Sequence, residues 1–183
     1  SSLSALTASS TARGWKRDAP ARLNVGDANY DSGLAPNVPA GFNVTIPTYI
    51  HVITDGSTGR VTNNQITRQM NVLNLSFGGF YGGANTGISF ELAGVTRTDN
   101  ADWFTMNDFA DEVAAKSALR QGGPNALNIY TGTAAGNLGF AYYPSILGYQ
   151  GGKYAMLDGA VIHYGSLPGG FIENFNLGFT ATH

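Results

Sequence analysis

The clearest candidate for chemistry in the sequence is the histidine that closes the run Leu177-Gly178-Phe179-Thr180-Ala181-Thr182-His183. A glycine, a Thr-Ala-Thr run and a histidine in this order are typical of the start of a zinc-binding helix. In the H-E-x-x-H pattern of metalloproteases, the first histidine opens the metal site, the next glutamate is the general base, and a second histidine follows one turn later. Only the first of these residues is present, so the pattern alone predicts no catalytic residue within the chain and does not by itself identify His183 as a metal ligand.

The run from 177 to 183 and the preceding loop Leu167-Pro168-Gly169-Gly170 resemble the approach to the zinc helix in the pappalysin family of the metzincin clan. The similarity is greatest to the secreted fungal extracellular metalloproteases. It extends upstream through four blocks in matching order: Tyr49–Ile53, Leu92–Arg97, Ala118–Gly123 and Ala126–Tyr130. Several blocks in order are more specific than one short motif, and together they cover roughly residues 45 to 183.

The resemblance implies the N-terminal portion of a secreted zinc metalloendopeptidase that hydrolyses peptide or protein substrates. In such enzymes three histidines hold the zinc, and the resemblance predicts that His183 is the first of these metal ligands; the glutamate takes a proton from the metal-bound water. A polypeptide ending at His183 lacks that glutamate and two of the histidines, so we expect it to be inactive alone. A second polypeptide or self-association is one way in which the fold could be completed. The alternative is a non-catalytic, truncated relative that acts as a binding or assembly module.

The other two histidines, His51 and His163, stand inside strand-like apolar runs. Neither has the short spacing to another histidine that a local metal motif needs. We interpret both as hydrogen-bonded structural residues. The carboxylates Asp108, Asp111 and Glu112 could be imagined as an acid–base pair, but they stand where a helix start favours negative charge, and we interpret them in that way.

Composition excludes several classes of partner. The net charge of −2, without a basic cluster, argues against nucleic acid, and no apolar run approaches the roughly 18 residues of a membrane span. Cysteine is absent, which excludes disulfides and thiol catalysis within the chain. The sequons at Asn43 and Asn74 are candidate N-glycosylation sites, and with the resemblance they predict an exposed, extracellular glycoprotein.

Residues 1–43 are rich in Ser, Ala, Thr, Gly and Pro and lack apolar periodicity, so they predict an extension without a core of its own. The pair Lys16-Arg17 within it is either a processing site that would make residues 1–17 a remnant of a pro-segment, or two solvated charges. Residues 44–183 are predicted to be the N-terminal part of a metzincin-like catalytic domain.

The regular elements alternate between strands and helices along residues 44–183. A dense β-branched run from Thr45 to Ile53 predicts the first strand, and Thr62 with Gln65 forms a capping box before a helix that ends at Gly78-Gly79. A second strand starts at Ile88, and a second helix spans about 107–120, with Lys116 and Arg120 near its C-terminus as the helix dipole favours. Three short strands follow, at 127–130, 139–143 and 158–164.

This order predicts an α/β (α+β) fold: a mixed five-stranded twisted sheet with two backing helices and one antiparallel edge strand. The connection into residues 139–143 is too short for a crossover helix, so that strand is the antiparallel one. Its residues Gly139, Phe140, Ala141 and Tyr142 are predicted to pair with an extended peptide substrate; the competing interpretation is a short strand covered by its own loop, 145–153. The core is predicted to contain Ile50, Val52, Ile66, Met70, Leu73, Phe90, Leu92, Leu119, Ile129 and Ile162.

Overall fold

A computed structural model of the chain describes residues 22–24, 41–148 and 152–183. Its centre is a mixed sheet of six strands in the order β1-β5-β6-β4-β2-β3. The strands β2, β3, β4 and β6 run parallel, whereas β5 is antiparallel to β6 and to β1. The strands are β1 Arg22–Asn24, β2 Val44–Thr54, β3 Ile88–Asp99, β4 Leu127–Gly132, β5 Gly139–Tyr142 and β6 Ala160–His163.

Two longer helices and two short ones connect the strands. They are α1 Asn63–Phe77, α2 Ala101–Thr105, α3 Phe109–Leu119 and α4 Pro144–Leu147. The predicted capping box is confirmed, because Thr62 Oγ1 accepts from the Gln65 amide at 3.2 Å and Gln65 Oε1 accepts from the Thr62 amide at 3.0 Å. Asp108 caps α3 by accepting from the Ala110 and Asp111 amides, as expected for a carboxylate at a helix start.

The two longer helices cover opposite faces of the sheet. α1 joins β2 to its neighbour β3, whereas α3 lies in the connection that returns past β2 to β4. Because crossovers between parallel strands are right-handed, reversing the direction of travel across the sheet places the next helix on the other face. α1 packs on a cluster that includes Ile50 and Ile129, and α3 on one that includes Ile53 and Tyr130.

The predicted core is largely confirmed. Eight of the ten predicted residues are buried, and Leu119 packs half-buried against the cluster under α3. Leu92 was predicted to be buried and is 41% exposed. It lies on β3, at one end of the sheet, where no other described strand pairs with its outer side. Leu92 also directly precedes a register shift in the β2–β3 pairing.

The five strands β2–β6 match the predicted mixed sheet, and β1, which falls within residues 1–43, is a sixth strand. The pair Lys16-Arg17 lies outside the described residues. Within the ranges described, no helix has both the length and the apolarity needed to cross a membrane.

Candidate metal-ligand segment and substrate edge

A tightly hydrogen-bonded loop leads from β6 to His183. Its first part, including Leu167 and Pro168, is buried. The loop is closed by the Gly169 amide, which donates to the Asn176 carbonyl at 2.9 Å, and by Asn176 Nδ2, which donates to the Gly170 carbonyl at 2.8 Å. These bonds fix where the chain enters its last turn.

Helix α1 anchors both ends of the segment that carries His183. The buried side chain of Gln69 donates from Nε2 to the Gly178 carbonyl at 2.9 Å, and Thr182 Oγ1 donates to Ser76 Oγ at 3.2 Å. Gly178 has φ +88°, and a Cβ there would lie 2.8 Å from Pro168 Cγ, so this position requires glycine. Sequence reasoning missed Gln69 and Ser76, since both occur in an amphipathic pattern that reveals only the apolar stripe.

The last turn is a 3₁₀ helix, Phe179–Ala181, with Gly178 at its N-cap and no side-chain cap bond. Neither nearby threonine caps this turn, because Thr180 is buried and Thr182 is bonded to Ser76 on α1. His183 follows with an exposed side chain, and its amide donates to the Phe179 carbonyl at 3.2 Å.

The described part of the chain does not form a metal site by itself. Among these residues, no three His, Cys, Asp or Glu side chains lie close enough together to hold an ion. His183 is exposed and of a suitable chemical type, and could supply one ligand; structural zinc sites need four and catalytic sites three. The residues present therefore do not fit a complete zinc site.

His51 is a buried structural residue on β2, between β3 and β4. Its Nε2 lies 2.8 Å from Asn128 Oδ1 and its Nδ1 lies 2.8 Å from Thr96 Oγ1. The Asn128 amide is oriented by two bonds to the Gln121 backbone; Oδ1 is therefore an acceptor, and Nε2 carries the proton. Burial lowers the pKa of His51, and the bond to Asn128 raises it by less. Both ring nitrogens are thus occupied within the fold.

The lowered pKa of His51 predicts acid-sensitive stability. The unfolded chain takes up the proton near the ordinary value of 6.5, whereas the folded chain does so only at lower pH. The free energy of unfolding should therefore be constant above this pH and fall below it, by at most about 1.4 kcal/mol per pH unit from this group. Urea titrations at several pH values would measure this slope, and His51→Gln should reduce it; an unchanged slope would contradict the assignment.

His163 also acts within the fold. Its Nδ1 accepts from the Gly165 amide at 3.0 Å, and its ring stacks on Tyr164 and meets Phe171 edge-on. Burial lowers its pKa as well, so it contributes to the acid sensitivity in the same direction as His51.

The strand predicted to bind substrate is not a free edge. Of the five strands formed by residues 44–163, β5 lies at one edge of the sheet. However, Arg22–Asn24 pairs along its outer side, with Arg22 opposite Tyr142 and Asn24 opposite Phe140. An unpaired strand edge offers a row of amide and carbonyl groups, and the N-terminal extension satisfies them. The structure thus places an extended, antiparallel segment where a peptide was predicted.

The two sequons differ in their surroundings. Asn43 is exposed just before β2. Asn74 was predicted to be exposed, but it is half-buried: its Nδ2 donates to the Met70 and Phe90 carbonyls, and its Oδ1 accepts from the Phe90 amide at 2.8 Å. Its amide group therefore bridges α1 and β3.

Sequence comparison relates the chain to fungal proteins. It is similar to an extracellular metalloprotease of Arthroderma benhamiae, with 41% identity over 143 residues that cover 77% of this chain and 45% of the relative. An extracellular metalloprotease of Uncinocarpus reesii is 40% identical over 144 residues, covering 76% of this chain and 50% of the relative. The chain thus spans about half the length of the curated relatives it matches. No protein-family model matches it.

Comparison with solved structures agrees with the comparison of sequences. The fold is similar to that of mirolysin in complex with compound 9, with a TM-score of 0.62 and 25% identity, covering 78% of this chain and 61% of that mirolysin chain. Mature mirolysin of Tannerella forsythia, solved in complex with a cleaved peptide, gives a TM-score of 0.58 at 25% identity and covers 77% of this chain and 61% of that protein. This likeness confirms the predicted metzincin-like mixed sheet.

Proposed function

We propose that the chain is the N-terminal portion of a secreted zinc metalloendopeptidase of the pappalysin type. The observation that carries the proposal is the 41% identity to an extracellular metalloprotease over 77% of the chain, supported by the likeness in fold to mirolysin. In this proposal residues 44–183 form the first part of the catalytic domain, residues 1–43 form an extension, and His183 supplies the first zinc ligand. Zinc held by a complete set of ligands, of which His183 would be one, would supply Lewis-acid activation of a bound water.

The chain's own residues have two tasks in this function. Gln69 and Ser76 fix the approach to His183 through their bonds to Gly178 and Thr182. β5 offers its outer edge, Gly139–Tyr142, to an extended peptide or protein substrate. The pairing of Arg22–Asn24 supports this second task, because β5 pairs on this side with an antiparallel strand of the same chain. A substrate would have to displace these three residues.

The complete enzyme provides the direct test. We expect it to hydrolyse an unstructured protein such as casein, to lose this activity when a chelator removes the metal, and to regain it with Zn²⁺. A polypeptide confirmed by intact mass to end at His183 should be inactive. A complete protein that binds peptides without cleaving them, with or without Zn²⁺, would instead favour the binding or assembly module.

Secretion and glycosylation give a second prediction. In a eukaryotic secretory host, we expect a glycan on Asn43 and none on Asn74, because a glycan on Asn74 Nδ2 would remove a donor that bonds the Met70 and Phe90 carbonyls. Intact mass before and after enzymatic glycan removal measures this. Asn43→Gln should abolish the mass difference; a difference that persists in this variant would contradict the assignment.

A further inference from the structure

A buried ion pair lies beneath β5. Glu112 and Lys116, one turn apart on α3, are both fully buried, and Lys116 Nζ lies 2.9 Å from Glu112 Oε1. Lys116 Nζ also donates to the carbonyls of Leu157 at 2.7 Å and Gly159 at 3.3 Å. The ammonium is thus fixed by three oxygen atoms from α3 and from the turn that precedes β6.

The same ion pair contacts the aromatic side chains of β5. Tyr142 donates its hydroxyl proton to Glu112 Oε2 at 2.8 Å. Lys116 Nζ lies 5.2 Å from the centre of the Tyr142 ring and 5.7 Å from that of Phe140, within the range of a cation–π contact. Phe140 and Tyr142, the two side chains of β5 that face α3, therefore both contact this ion pair.

β5 is held unevenly by the sheet. Its pairing with β6 comprises only two residue pairs, Gly139 with Ile162 and Phe140 with Val161. Its second half, Ala141 and Tyr142, is paired instead with β1, through Leu23 and Arg22. If a peptide replaces β1, the bond from Tyr142 to Glu112 remains as an anchor for this half of the strand.

We propose that Glu112 and Lys116 are a positioning pair that holds the second half of β5 in place for an extended peptide substrate. This inference rests on the proposed function, in which β5 is the substrate edge. A buried ion pair is weak evidence for stability, since apolar residues of similar volume often serve as well. The pair instead fixes a position. The short charge-assisted bond from the Tyr142 hydroxyl to Glu112 holds Tyr142, and hence the edge of β5, relative to α3.

The test compares peptide kinetics in variants of the complete enzyme. Tyr142→Phe removes only the hydroxyl, and the KM for a long peptide should rise by about 5-fold, the effect of one hydrogen bond. Glu112→Gln with Lys116→Met removes both charges, and the KM should rise roughly 10-fold to 100-fold through misplacement of the edge. In both variants kcat should stay within about 2-fold, as for loss of uniform binding. A short peptide that does not reach β5 should show no change.

The control is Tyr49→Phe, which removes a tyrosine hydroxyl from β2 and should leave both constants unchanged. Equal losses for long and short peptides would indicate general destabilisation and overturn the proposal, as would an unchanged KM for the long peptide. If the doubly substituted chain fails to fold, Tyr142→Phe alone decides. A wild-type enzyme without peptidase activity would refute the proposed function, and this inference with it; an active wild type with unaffected variants would refute only the inference.

Discussion

Lys116→Met is expected to lower the free energy of unfolding by about 3–5 kcal/mol. Methionine nearly preserves the volume of the lysine stem, so the loss is electrostatic. It leaves the fully buried Glu112 without the ammonium that lies 2.9 Å from its Oε1, and it leaves the Leu157 carbonyl without the donor at 2.7 Å. Urea denaturation followed by circular dichroism measures the change.

The doubly substituted chain, Glu112→Gln with Lys116→Met, should recover more than half of this loss. It carries no charge at either of these two positions, and the loss of the hydrogen bonds to the Leu157 and Gly159 carbonyls should cost about 1–2 kcal/mol. Ser117→Met places the same side chain at the adjacent exposed position and should change stability by no more than about 0.5 kcal/mol. A double variant as unstable as the single one would contradict the idea that loss of the ammonium beside the Glu112 carboxylate is the cause.

Glu112 and Lys116 also show how far sequence reasoning reaches. An acidic residue early in a helix and a basic residue late in it are both favoured by the helix dipole. This interpretation needs only the sequence. The same spacing places them one turn apart as an ion pair. Whether such a pair faces water or the protein interior depends on what covers the helix, here β5 and the turn at Leu157, and that contact comes from distant parts of the chain.

The strands, the helices and the one antiparallel strand followed from local patterns and connection lengths, whereas the order of the strands in the sheet did not. The run Thr45–Ile53 and the capping box at Thr62 were sufficient to predict β2 and α1, because both signals lie within a few residues. The order of the strands cannot be read from such signals. It is this order, with β3 and β4 on opposite sides of β2, that places α1 and α3 on opposite faces.

Residues of the candidate site could be predicted where a local motif exists. Residues that act through hydrogen bonds to distant parts of the chain were missed. His183 was predicted to be a zinc ligand from a resemblance, and this role stays a prediction. Gln69 contributes a bond to Gly178, 109 residues away in the sequence, for which no local pattern exists. Asn74 matched a sequon, but its amide instead continues the hydrogen bonding of β3 at Phe90.

Leu73→Ala is expected to lower the free energy of unfolding by about 2–5 kcal/mol, because it removes a buried side chain and leaves a cavity. Leu73 is 1% exposed and packs between α1 and the sheet, in the cluster that contains Ile50 and Phe90. Ile162→Ala, from the sheet side of the same cluster, should have an effect of similar size, since Ile162 is 3% exposed. Urea denaturation of each variant measures the difference from the wild type.

Leu75→Ala is the matched control for Leu73→Ala. It makes the same substitution two residues further along α1, at a side chain that is 38% exposed, and helix propensity even favours alanine slightly. Its cost should be well under half that of Leu73→Ala, since little cavity forms where water already reaches the side chain. Equal costs for the two would show that α1 does not pack on the sheet through Leu73. Because α1 also holds Gly178 through Gln69, the placement of the His183 segment would then need a different explanation.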